Sequence, residues 1–123
     1  MRISHSMIAG VPLVKLVGEV DHQCGAELYV AVLEALSPGG DQILIDLETC
    51  GYLDSAALGV LLRLVGDVRG RGWVGTIAPS RMVLRLFELV GLMGDPDFRV
   101  FASLSEARAA LRGRDLAEDG EKT

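Results

Sequence analysis

A chain of 123 residues, half of them hydrophobic and 24% charged, suffices for one domain with one core and is too short for two ordinary ones. Twelve Lys and Arg against 17 Asp and Glu leave a net charge of −5, and the arginines are scattered among carboxylates. That composition excludes a disordered chain, and it excludes a duplex nucleic-acid binder, which needs clustered cation.

Two cysteines, Cys24 and Cys50, make no disulfide framework and are expected to be reduced thiols. The first twenty residues interleave polar with apolar side chains, so they lack the apolar stretch of a secretory leader. Lys15, Arg63 and Arg85 interrupt every apolar run before it approaches the roughly 18 residues of a membrane span. A soluble, cytoplasmic protein is the expectation.

In chain order, residues 3–8 suit a short edge strand and Ala9-Gly10 a turn. Pro12–Val20 alternates Val14, Leu16 and Val20 with Lys15 and Glu19, as a half-buried strand requires. After Asp21 a helix is predicted, with Ala26, Tyr29, Val30, Leu33 and Leu36 at helical spacing. Ser37-Pro38-Gly39-Gly40 stops it. Gln42–Leu47 contains the unbroken run Ile43-Leu44-Ile45, the pattern of a central strand covered on both faces.

Asp54 is positioned as the N-cap of the next helix, whose predicted buried stripe is Leu58, Leu61, Leu62, Val65 and Val68. Gly70 and Gly72 end it, and Trp73–Ala78 follows as a strand. Pro79-Ser80 opens a helix with Val83, Leu86, Phe87 and Val90 inward and Gly91 at its C-cap. Phe98–Phe101 is the last strand, and Ser103 or Ser105 caps a final helix carrying Ala107, Ala110 and Leu111. The order β-β-α-β-α-β-α-β-α implies an α/β fold with a mixed, mostly parallel sheet of four to five strands and about four helices. The domain is expected over residues 1–112, with 113–123 a polar, disordered tail.

The sequence is poor in catalytic signals. It has no phosphate loop, no nucleophile elbow and no HExxH, and Gly70, Gly72 and Gly75 lack the strand-then-helix context of a dinucleotide loop. His22, Cys24 and Cys50 offer three ligand types, but such lone residues are more often structural, so no metal or other cofactor is expected. Asp46 ends a central strand as a phosphorylated receiver aspartate would. The later strands carry no Lys to accompany it, which leaves a polar residue late in a buried strand. The informative segment is Gly51–Leu62. There Asp54 can accept from free helix amides, and Ser55, Ala56, Ala57 and Gly59 leave the first turn open to a partner backbone. Ala56, Val60, Arg63 and Asp67 form a second stripe pointing away from the core stripe.

Five pieces together, in order and spacing, resemble the STAS family of anti-sigma factor antagonists and transporter-fused modules. They are LVGEVD at 16–21, ILIDLETCGYLDSAALGVLL at 43–62, the Arg69–Gly72 turn, MVLRLFELVGL at 82–92 and FASLSEARAAL at 101–111. The resemblance covers nearly the whole chain and implies a protein-binding regulator, not an enzyme. In the antagonists the loop reads Asp-Ser-Ser-Gly. A kinase-type anti-sigma factor phosphorylates the second Ser, and the unmodified form binds that kinase and frees the sigma factor. Carried over, Asp54 and Ser55 match, Ala56 takes the phosphoacceptor position and Ala57 the Gly position. Asp21 corresponds to the family's acidic residue after the second strand.

The resemblance thus implies a constitutively binding module. Its expected interface is Asp21, Leu53, Asp54, Ser55, Ala56, Ala57, Leu58, Val60, Arg63 and Asp67, with Ser55 the one hydroxyl left for phosphate. The expected partner is a kinase-type anti-sigma factor, and a homodimer is compatible with the sequence. The alternative is a STAS subunit of a membrane lipid-transport complex.

Overall fold

The computed structural model describes residues 2–18, 25–36 and 41–112. Five strands form one sheet, β1 (Arg2–Ile8), β2 (Val11–Val17), β3 (Gln42–Thr49), β4 (Trp73–Ile77) and β5 (Phe98–Phe101), arranged in chain order. β1 and β2 pair antiparallel through a hairpin; every other pair is parallel. The two-residue turn between them has φ of 49° at Ala9 and 81° at Gly10, the left-handed pair that a tight hairpin needs. Three crossover helices join the parallel strands: α1 (Gly25–Leu36), α2 (Ser55–Val68) and α3 (Arg81–Leu89). A fourth, α4, occupies residues 104–112.

Right-handed crossovers between neighbouring strands place their helices on one face. Accordingly Leu28 and Val32 of α1, Leu61 and Leu64 of α2, and Val83 and Phe87 of α3 share a core with Val14, Ile43, Ile45 and Val74. Leu13, Leu44, Trp73, Ile77 and Phe101 turn to the opposite face, where Ala107 and Leu111 of α4 cover them. Ile43, Leu44 and Ile45 are all fully buried, as their unbroken run predicts.

Asp46 is buried, and its carboxylate accepts from the Glu48 backbone N–H at 2.9 Å. The register of β3 against β2 shifts here, with Lys15 opposite Asp46 but Val17 opposite Thr49. The side chain thus binds an amide at the irregularity, the structural role that its place late in the strand suggested.

Three helix faces differ from expectation. In α2, Leu62 is 41% exposed, whereas Ala57 and Leu64 are buried with Leu58, Leu61, Val65 and Val68. At about 100° per residue, Leu62 falls just outside the arc these six define. In α1 the buried residues are Gly25, Leu28, Ala31, Val32 and Leu36, and Ala26, Val30 and Leu33 face outward. Both phases are apolar, so composition alone did not separate them. In α3 only Val83 and Phe87 are buried. Val90 is already the C-cap, and the chain turns away at Gly91, whose φ is 82°. Ala110 of α4 is exposed as well. The expected tail 113–123 and stop at 37–40 lie outside the described residues.

Candidate protein-binding site

The loop between β3 and α2 is built from its own backbone outward. The Gly18 N–H donates to the Thr49 carbonyl at 3.0 Å, and the Thr49 hydroxyl donates to the Leu16 carbonyl at 3.1 Å, tying the end of β3 to β2. The buried Cys50 thiol donates to the Tyr52 carbonyl at 3.4 Å, and Leu53 anchors the loop in the core. Asp54 has extended backbone geometry and caps α2; its carboxylate accepts from the Ala57 N–H at 2.9 Å, and its carbonyl from the Leu58 N–H. On the far side, the Ser80 hydroxyl accepts from the Val83 N–H and donates to the Gly51 carbonyl. One serine therefore caps α3 and ties it to the same loop.

On this frame the ten expected interface residues separate. Ser55 and Ala56 are exposed on the first turn of α2, while Ala57 and Leu58 are buried beneath them. Leu53 is core, and Asp54 is half-buried at the cap. Val60, Arg63 and Asp67 lie along the flank that meets α1. The Arg63 guanidinium stacks 4.4 Å from the Tyr29 ring centre, and the Tyr29 hydroxyl donates to Asp67 at 3.0 Å. That hydrogen bond to Asp67 raises the Tyr29 phenol above its ordinary value. At the head of the same flank Gly25 approaches Ala56; a Cβ on Gly25 would sit 3.6 Å from that of Ala56. The second stripe points outward as expected, with Ala56, Arg63 and Asp67 exposed and Val60 half-buried, and its solvent-exposed side chains also meet Tyr29 of α1. Asp21, His22 and Cys24 lie outside the described residues.

The opposite flank of α2 carries neighbours that the sequence reading missed. Tyr52, Leu53, Asp54, Ser55 and Leu58 share a shallow groove with Met82 and Leu86 of α3. The available signal was the 82, 86, 89 spacing of apolar residues on α3, which repeats at helical intervals outside its buried pair. Among the described residues no three His, Cys, Asp or Glu side chains are placed to hold a metal, and no helix is long and apolar enough to cross a membrane.

A five-strand sheet with three crossover helices on one face and a capped, small-residue helix start at the strand ends defines a STAS-type module. Residues 6–100 match the family model described as Mlab, STAS domain, and the chain belongs to the STAS domain family. It is 29% identical over 104 residues to the anti-sigma-F factor antagonist RsfB of Mycobacterium tuberculosis, an alignment spanning 85% of this chain and 84% of the relative. Two solved structures share the fold. A candidate anti-sigma factor antagonist of Thermotoga maritima superposes with a TM-score of 0.80 at 20% identity, over 89% of this chain and 94% of that one. The unphosphorylated antagonist SpoIIAA of Bacillus gives 0.71 at 20% identity, over 91% and 99%. The chain is thus a STAS module, and the relatives and solved structures it resembles are named as anti-sigma factor antagonists.

Proposed function

We propose that this chain binds a kinase-type anti-sigma factor in the cytoplasm through the start of α2, and that it does so without a phosphorylation switch. One observation carries the reading: the position matching the family's phosphoacceptor is Ala56, exposed on the first turn of a helix capped by Asp54. SpoIIAA exists in unphosphorylated and phosphorylated forms. A phosphate adds about −1.5 to −2 charge. Next to Asp54 that charge would repel a partner, although the helix N-terminus favours it locally. Ala56 keeps the surface in its neutral, binding state.

Ser55 is a poor substitute acceptor. One helical step rotates a side chain by about 100° and moves it about 1.5 Å along the axis. A γ-phosphate aimed at position 56 is then out of line with the Ser55 hydroxyl, and in-line geometry is what phosphoryl transfer needs. Intact-mass spectrometry after incubation with the partner kinase and ATP tests this. Wild type takes up no phosphate, and Ala56→Ser takes up one equivalent and binds more weakly afterwards. Stoichiometric phosphate on wild type that Ser55→Ala abolishes would refute constitutive binding.

The same Ala56 suits a second reading, a STAS subunit of a membrane lipid-transport complex, which needs no phosphoserine. Co-purification with a permease and its ATPase, in place of a kinase-type protein, is its signature.

A further inference from the structure

Large apolar side chains are exposed on the β1–β2 hairpin (Met7, Val17), on α1 (Val30, Leu33) and, in the larger group, around α2 and α3. Leu89 is 74% exposed, Met82 58%, Met93 46% and Tyr52 42%, and Leu62 of α2 is also open. These five belong to α2, α3 or the segments at their ends. Helical spacing puts Leu62 on the same side of α2 as Ser55 and Leu58, and Met82, Leu86 and Leu89 on one side of α3. The groove lined by Tyr52, Leu58, Met82 and Leu86 runs directly from the Asp54–Ser55 helix start. Isolated exposed apolar residues need no explanation, but a contiguous strip along a groove marks an interaction surface.

Charge identifies the occupant. Arg81 and Arg85 stand one turn apart on the outer side of α3, with Glu88 the one carboxylate lining the same surface. Among the described residues no carboxylate lies within ion-pair distance of either guanidinium. Two cations beside an apolar groove, on a chain of net charge −5, suit an apolar segment flanked by carboxylates. A second copy of the chain would bring the same arginine pair to the same rim.

We infer that the partner of the proposed function docks across the α2–α3 groove, seating an amphipathic helix whose apolar stripe lies on Met82, Leu86 and Leu89 and whose acidic flank meets Arg81 and Arg85. The inference rests on the reading of this chain as a module that binds a kinase-type anti-sigma factor. It moves the footprint away from Val60, Arg63 and Asp67, the last two of which Tyr29 engages.

Binding to the purified kinase-type anti-sigma factor of the same genome, with Kd read by calorimetry and association rates by surface plasmon resonance at several salt concentrations, decides it. Leu89→Glu and Met82→Glu, both at exposed positions, are expected to raise Kd about 30-fold or more, as loss of a central apolar anchor does. Arg81→Glu is expected to lower the association rate and flatten its salt dependence, and Arg63→Glu to change Kd less than about threefold. Unaltered melting curves establish that the variants fold. Wild-type binding that survives both glutamates within twofold overturns the inference and leaves the proposed function standing. No binding by wild type overturns both. A wild-type dimer in sedimentation that Leu89→Glu converts to monomer makes the occupant a second copy, and likewise overturns it.

Discussion

At Gly72 the backbone of Asp41 leaves no room for a side chain. A Cβ would fall 1.7 Å from the Asp41 carbonyl oxygen, the same oxygen that accepts from the Trp73 N–H at 3.0 Å. Backbone atoms on both sides cannot yield as a flexible side chain would. Gly72→Ala is therefore expected to cost at least about 3 kcal/mol, or to prevent folding, in a denaturant titration. The neighbouring leucines of α2 make a gentler comparison. Leu61→Ala should cost about 2–5 kcal/mol, because the side chain is fully buried between sheet and helix. Leu62→Ala should cost much less, within about 1 kcal/mol, since its side chain is 41% exposed. Equal midpoints for the two variants would mean that the helix is rotated from the phase described. This phase was only partly legible in the sequence. With leucine or valine at 58, 60, 61, 62, 64, 65 and 68, several arcs are nearly as apolar as one another. Packing against Ile43 and Ile45, and not periodicity, decides among them.

The elements were easier to read than their faces. Among the described residues the five strands and four α-helices stand where alternation, the Ile43–Ile45 run and the caps at Asp54, Ser80 and Ser103 put them, and only the short 3-10 turn Leu92–Gly94 was unannounced. At the last of these the serine hydroxyl accepts from the Glu106 N–H while Glu106 reaches back to the Ala102 N–H. What no local pattern announced is how the end of α2 is fastened. Arg69, its C-cap, reaches across to Asp95 at 2.6 Å and Asp97 at 3.1 Å in the turn before β5. Partners 26 and 28 residues apart are joined by folding alone. The hydrogen bond from Arg69 holds the Asp95 carboxyl below the usual carboxylate value. A carboxyl whose folded value is depressed stabilises fully above its unfolded value, and that contribution fades as pH falls through the folded one. Wild type should therefore exceed Arg69→Ala in stability at neutral pH by a small, salt-sensitive margin, as exposed pairs do. The margin should close below the ordinary carboxylate range. Melting curves of both proteins from neutral to acid pH check this; a margin that widens in acid would show that the pair is not its source.

For the molecule as a whole, the fold class and the start of α2 were legible because both are carried by short stretches: β-α alternation in one case, residues 51–62 in the other. The groove beside that helix was not. Its walls come from residues 52–58 and 82–86, and only the crossover through β4 brings them together. The contact of α1 with the outward stripe was hidden for the same reason. Arg63 and Asp67 are exposed as the chain suggests, and only the fold brings Tyr29, more than thirty residues earlier, against both of them.

Strand order equal to chain order has a consequence for how the protein is made. Each strand pairs only with the strands just before and just after it in the chain, so no early segment has to wait for a late one to be inserted between its neighbours. As the polypeptide leaves the ribosome, the β1–β2 hairpin can form first, and each β-α unit that follows can add to the growing edge with only its own loop to close. Synthesis and folding then run in the same direction. Of the described helices α4 emerges last, and it covers the opposite face of the sheet once Leu13, Leu44 and Trp73 are in place to receive it.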